Sequence, residues 1–266
     1  MPDESAPSSS PCVLVHGMWS CQSTWGRTAQ ALQQQGHTVL PYELPEHGQR
    51  QTSRSKLGRL GIQHYVADLV EWVEHQAKPP ILIGHSMGGL ISLLAAAELS
   101  RRGKPVPGVI MVTPAMPAGG WGFSWTNLLV FLRPCALQLL GWRAFELTDW
   151  EARFGLFHDR PAVQDLHPRQ NLQAESGRAL MQVAWWFLNP MGTTRVKWAD
   201  VTCPVKVYLG QRDRIVPTYA AKVLNRLRDV DITTNARSSH MVFDDPSQTQ
   251  FWDWLGHQVS KLDQLQ

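Results

Sequence analysis

The chain has 266 residues, 43% of them hydrophobic and 18% charged, and a formal net charge of +3. That balance supports a full buried core, excludes wholesale disorder, and is too weakly basic to call for a nucleic-acid partner. Cys12, Cys21, Cys135 and Cys203 contain no CxxC pair and are too scattered for a disulfide framework, and no HExxH-type histidine spacing marks a metal site.

Residues 1–11, MPDESAPSSSP, read as a polar flexible tail without the apolar core of a signal peptide. Cys12–Val15 reads as a short buried strand that ends at His16-Gly17. Ser23 can cap a helix running to Gly36, and residues 38–40 form a second strand. Arg50, Arg54, Lys56 and Arg59 then mark a solvated basic loop. Ile62, Tyr65, Val66, Leu69, Val70 and Val73 share one helical face, so residues 61–77 form an amphipathic helix. Residues 81–83 are the third strand, a helix runs from Ser86 to about Arg102, and Val109–Val112 is the fourth strand.

The rhythm then breaks. Residues 115–198 show no clear strand and hold Trp121, Trp125, Trp142, Trp150, Trp185, Trp186 and Trp198, more than half of the chain's 12 tryptophans. Apolar helical segments at 124–141 and 172–188 bracket a more polar middle, so this stretch is expected to be a helical cap inserted into a core of residues 12–114 and 199–266. The most apolar run, 121–142, is interrupted by Asn127, Arg133 and Pro134 and does not read as a membrane span. A cytoplasmic protein is expected. After the insertion come a strand at 205–209, a helix at 218–228, a strand at 231–234, and a last helix starting at Asp245-Pro246 with Phe251, Trp254, Leu255 and Val259 turned inward. Strands alternating with helices predict an α/β fold: a mostly parallel sheet of about six strands, covered on both faces.

Gly84-His85-Ser86-Met87-Gly88 matches G-x-S-x-G between a strand and a helix. In that setting the serine sits on a sharp turn whose flanks must be glycine, and the helix N-terminus points its positive end at the serine oxygen. A serine hydroxyl needs a base to become a nucleophile. Strand ends later in the chain offer Asp213, in GQRDRIVP, and His240, in SSHM, with Asp244 or Asp245 as alternative acids. The order Ser86, Asp213, His240 resembles the triad of α/β-hydrolase-fold serine hydrolases, and the likeness covers the chain outside its tail.

That resemblance implies a carboxylic-ester hydrolase working through an acyl-enzyme, with no metal or cofactor and a small-molecule ester as its partner. It implies an oxyanion hole built from the backbone N–H groups of Met87 and of Met18, the latter in a loop similar to the family's HG-x motif. His16 then reads as a structural residue, with a second base as the alternative. Trp19 and Trp25 pack the loop, and Trp19, Trp121, Trp125, Trp185, Trp186 and Met241 are candidates for the substrate pocket. Starting so close to the HG-bearing strand, the chain resembles the compact branch with methylesterases and hydroxynitrile lyases. Gly17 and Met241 occupy positions where those lyases have threonine and lysine. The rival readings are a cofactor-free lyase, C–C hydrolase or dioxygenase on the same triad, and a non-catalytic ligand receptor.

Overall fold

The structure, a computed structural model, describes residues 9–120, 124–158, 172–228 and 230–265. Strands buried on both faces have no polar side to alternate with, so they appear as continuous apolar runs. β1 (Cys12–Val15), β3 (Ile81–His85) and β4 (Val109–Val112) are such runs, buried at every position. With β2 (Val39–Leu40), β7 (Val205–Gly210) and β8 (Asp231–Asn235) they make a six-stranded, wholly parallel sheet in the order β2-β1-β3-β4-β7-β8. The chain starts near the middle, builds one edge, then reverses. Right-handed crossovers therefore place the helices on both sides. α1 (Gly26–Gln34) packs with the terminal α9 (Gln248–Asp263), while α3 (Ile62–Glu74) packs with α4 (Met87–Arg101).

Two departures from the sequence reading lie near the chain's ends. Ser10 and Pro11, placed in the tail by composition, are buried: the Ser10 N–H donates to Asp263 Oδ1 (2.6 Å) and Pro11 O accepts from the Ile81 N–H (2.8 Å). The last helix begins at Gln248 rather than at Asp245-Pro246, where Asp245 instead holds a turn by accepting the Ser247 N–H on its side chain and the Gln248 N–H on its carbonyl.

Between β4 and β7 the chain forms α5 (Trp125–Leu137), β5 (Ala144–Phe145), α6 (Asp149–Gly155), β6 (Glu175–Ser176) and α7 (Gly177–Ala184). β5 and β6 pair antiparallel, Phe145 opposite Glu175, so this segment does contain a small ribbon that its composition hides. The expected basic loop is also partly ordered. Ser53 caps α2 (Arg54–Arg59) by accepting the Lys56 N–H, and its buried Leu57 and Gly58 press against the ribbon. Arg50 pairs with Asp68 through two hydrogen bonds, and Arg54 pairs with Glu146. α5 buries Asn127, Val130 and Pro134 and turns Trp125 (76% exposed) outward. Among the described residues no helix is long and apolar enough to cross a membrane.

Candidate active site

Ser86 stands between β3 and α4 with φ +51°, a backbone region that a residue with a Cβ enters only under strain of roughly 1–3 kcal/mol. The fold holds it there from both sides. Its N–H donates to Val112 O (2.9 Å), and its carbonyl accepts from Gly89 (3.0 Å) and Ala115 (2.9 Å). The flanking glycines are steric necessities: a Cβ on Gly84 would strike the Gly88 carbonyl, and one on Gly88 would strike the carbonyls of Val15 and His16. This turn exists because two glycines let three backbones meet.

Asp213 follows β7 and His240 follows β8, and both side chains are almost wholly buried, at 1% and 2% exposure. Asp213 Oδ2 lies 2.8 Å from His240 Nδ1. A carboxylate only accepts, so this contact fixes the imidazole proton on Nδ1 and leaves Nε2 as the basic nitrogen. The other oxygen, Oδ1, accepts the N–H groups of Ile215 (2.7 Å) and Val216 (2.8 Å), which locks the carboxylate plane. The His240 carbonyl is fixed in turn by the His85 Nε2–H (2.9 Å) and the Thr113 hydroxyl (3.2 Å). Asp245, a rival for the acid, has both oxygens committed elsewhere. Oδ2 accepts the Ser239 N–H (2.8 Å), while Oδ1 accepts from the backbone (2.8 Å) and hydroxyl (2.6 Å) of Ser247. It braces the loop that carries His240.

His16 is fully buried, with Nδ1 3.0 Å from Gly17 O and Nε2 3.0 Å from Glu43 Oε1. It fastens the loop after β1. Burial pushes its pKa down, and pushes that of His85 well down, with the neighbouring His240 adding to the effect at His85. His47 shifts the opposite way, because its carboxylate partner outweighs its burial. With their pKa values held below those of the unfolded chain, His16 and His85 make the unfolded chain the stronger proton binder once pH falls toward about 6.5 and below. Their stability contribution is therefore present above that pH and lost as pH falls, while His47 offsets part of the loss. Urea midpoints should drop between pH 7.5 and pH 5.5. The slope in His85→Gln should be shallower by up to about 1.4 kcal/mol per pH unit. Parallel pH profiles for the two proteins would show that His85 carries no such cost.

A cavity of about 220 Å³ opens beside Ser86, and Met18 and Met87 border it. Trp19, Trp185 and Trp186 form part of its wall. Two other pocket candidates do not. Trp125 faces solvent on the outer side of α5, because Asn127, Val130 and Pro134 hold the inner side. Met241 is packed into the core at 4% exposure, away from the cavity wall. Trp121 lies outside the described residues. Met116, Leu128, Phe131, Val183 and Ile215 are among the further apolar residues of the lining, and no motif marks them. Leu128 and Phe131 lie three apart, the helical spacing that marks a shared face of α5. Among the described residues no cluster of three or more His, Cys, Asp or Glu is placed to hold a metal ion.

A profile of the alpha/beta hydrolase family matches residues 12–249 of the chain. A pimeloyl-[acyl-carrier protein] methyl ester esterase of Xylella fastidiosa is 28% identical over 249 residues, 87% of this chain and 88% of that protein. Rat (Rattus norvegicus) monoglyceride lipase is 33% identical over 120 residues, which span 42% of this chain and only 38% of the lipase. Among solved structures, the monoacylglycerol lipase of Paleococcus ferrophilus superposes with a TM-score of 0.70 at 20% identity, covering 96% of both chains.

Proposed function

The chain belongs to the alpha/beta hydrolase family, and on that premise we propose that it is a serine esterase cleaving esters of short-to-medium apolar acyl groups through an acyl-Ser86 intermediate. One observation carries this reading: the buried 2.8 Å contact between Asp213 and His240 Nδ1, which leaves His240 Nε2 as a base. Its relatives named for a methyl ester and for monoglycerides are in keeping with ester chemistry.

In the proposed cycle Ser86 Oγ bonds to the ester carbonyl carbon while its proton passes to His240 Nε2. Asp213 keeps the ring oriented and stabilises the imidazolium. The carbonyl oxygen, now negative, is held by the N–H groups of Met18 and Met87 in the apolar cavity. Collapse breaks the bond to the alcohol, which leaves with the proton from His240. Water, deprotonated by the same nitrogen, then releases the acid and restores Ser86. Four free cysteines suit a reducing compartment for this enzyme. The segment between β4 and β7 acts as the cap that shapes the acyl pocket.

The cavity's volume is below the roughly 300–1,000 Å³ of drug-sized ligand sites, so a small acyl group fills it. Each added methylene contributes about 0.8 kcal/mol, roughly fourfold in kcat/KM, until the space is full. The profile of p-nitrophenyl esters should therefore rise with chain length and then fall. Trp185→Ala enlarges the wall and should move the maximum to longer chains, whereas Trp125→Ala should leave it in place. Superimposable profiles for Trp185→Ala and the unaltered protein would remove Trp185 from the pocket.

A further inference from the structure

Behind the loop that carries Met18 lies a second cluster of buried charge. Glu175, on β6 of the insertion, is fully buried and receives four donors. Its Oε1 accepts the Ser176 N–H (2.6 Å) and the Tyr65 hydroxyl (3.2 Å), and its Oε2 accepts His47 Nε2–H (3.2 Å) and the backbone N–H of Trp19 (3.4 Å). His47 Nδ1 faces Pro45 O at 2.9 Å, so both of its ring nitrogens point at oxygens. Burial alone would push His47 down and Glu175 up; each instead moves the opposite way because of the other.

Trp19 is where this cluster meets the proposed oxyanion loop. Its φ is +59°, a left-handed conformation that a bulky residue holds only when its surroundings enforce it. The enforcing contacts come from the insertion. The Gln173 N–H donates to Trp19 O (2.8 Å), and Glu175 takes the Trp19 N–H. The indole stacks on Phe131 of α5 (5.9 Å between centroids, 20° between planes) and meets Phe145 of β5 edge-on at 5.9 Å. The Met18–Trp19 peptide, whose N–H Glu175 takes, directly follows the Gly17–Met18 peptide that carries the Met18 N–H.

We propose that Glu175 is a positioning residue: by gripping Trp19 it sets the Met18 N–H toward the cavity, so the oxyanion site exists only while the insertion is seated on the loop. This rests on the esterase reading for its catalytic consequence, but the grip itself is a property of the fold. Glu175→Gln isolates it. The glutamine oxygen can keep Ser176 and Tyr65, and its NH₂ can donate to a neutral His47 Nε2, yet that NH₂ cannot accept from Trp19. Tyr65→Phe removes a different donor from the same carboxylate and leaves Trp19 held.

In the full chain, Glu175→Gln should lower kcat on a p-nitrophenyl ester about tenfold or more, bounded by the roughly 10²–10³-fold of a lost oxyanion donor, with KM nearly unchanged. An alkyl trifluoromethyl ketone, which mimics the tetrahedral oxyanion, should bind weaker by a similar factor while the corresponding carboxylic acid product binds as before. Hydrogen exchange in a peptide spanning residues 16–22 should quicken in Glu175→Gln and stay slow in Tyr65→Phe. Should Glu175→Gln not fold, Phe145→Leu loosens the indole contact alone and should move exchange and kcat in the same direction. Unaltered exchange and kcat in a folded Glu175→Gln overturn the proposal, as does an equal kcat loss in Tyr65→Phe. Failure of the unaltered protein to react with a fluorophosphonate would instead sink the esterase reading, and the exchange measurement would still decide whether Glu175 grips the loop.

Discussion

Ser86→Ala should lower kcat by on the order of 10⁴-fold or more and abolish labelling by a fluorophosphonate, with little change in melting temperature. Alanine occupies the same strained turn as serine and keeps the backbone bonds to Val112, Gly89 and Ala115, so the substitution removes the oxygen and little else. The informative measurement is the double variant. If Ser86 and His240 act as one device, Ser86→Ala/His240→Ala should be scarcely slower than either single variant, because a nucleophile without its base is already disabled. Losses that multiply would mean two independent contributions and would refute the assignment.

Asp213→Asn should be nearly as damaging while leaving the fold intact. Oδ1 of Asp213 is held by two backbone donors, Ile215 and Val216, so the asparagine carbonyl should settle there and turn its NH₂ toward His240 Nδ1. A donor facing Nδ1 drives the imidazole proton to Nε2, the nitrogen needed as a base. A loss on the order of 10⁴-fold in kcat follows from that wrong tautomer. A variant within tenfold of the unaltered rate would show that another group orients the ring. Because Asp245 is bound to Ser239 and Ser247, it is not free to substitute.

Most of the sheet and the elbow around Ser86 were legible because apolar runs and glycine flanks are local properties. Of the central strands, β1 and β4 are uninterrupted apolar sequence, β3 opens on Ile81-Leu82-Ile83, and β7 is broken by Lys206. What escaped was decided by contacts between distant segments. α2 reads as a charged loop because its stability comes from Ser53 and from burying Gly58 against the ribbon, and no apolar period reveals either. Two-residue strands such as β5 and β6 are too short to leave a pattern. Trp125 and Trp185 look alike in composition, yet helix phase sends Trp125 to solvent while Trp185, at the end of α7, borders the cavity. Glu175 sits in an unremarkable AES-G context, and nothing around it announces a buried carboxylate with four donors.

The position of the insertion also bears on how the molecule comes into being. β4 and β7 lie side by side, although the whole insertion separates them along the chain. Closing so long a loop costs chain entropy before the pairing returns anything, so contacts of this kind form late. β1, β3, β4 and the Ser86 turn can assemble from the first part of the polypeptide as it is synthesised, whereas Asp213 and His240 arrive only with β7 and β8. Until those strands dock, the nascent protein displays a serine with no base to activate it. Assembly order thus acts as a safety catch on the proposed nucleophile.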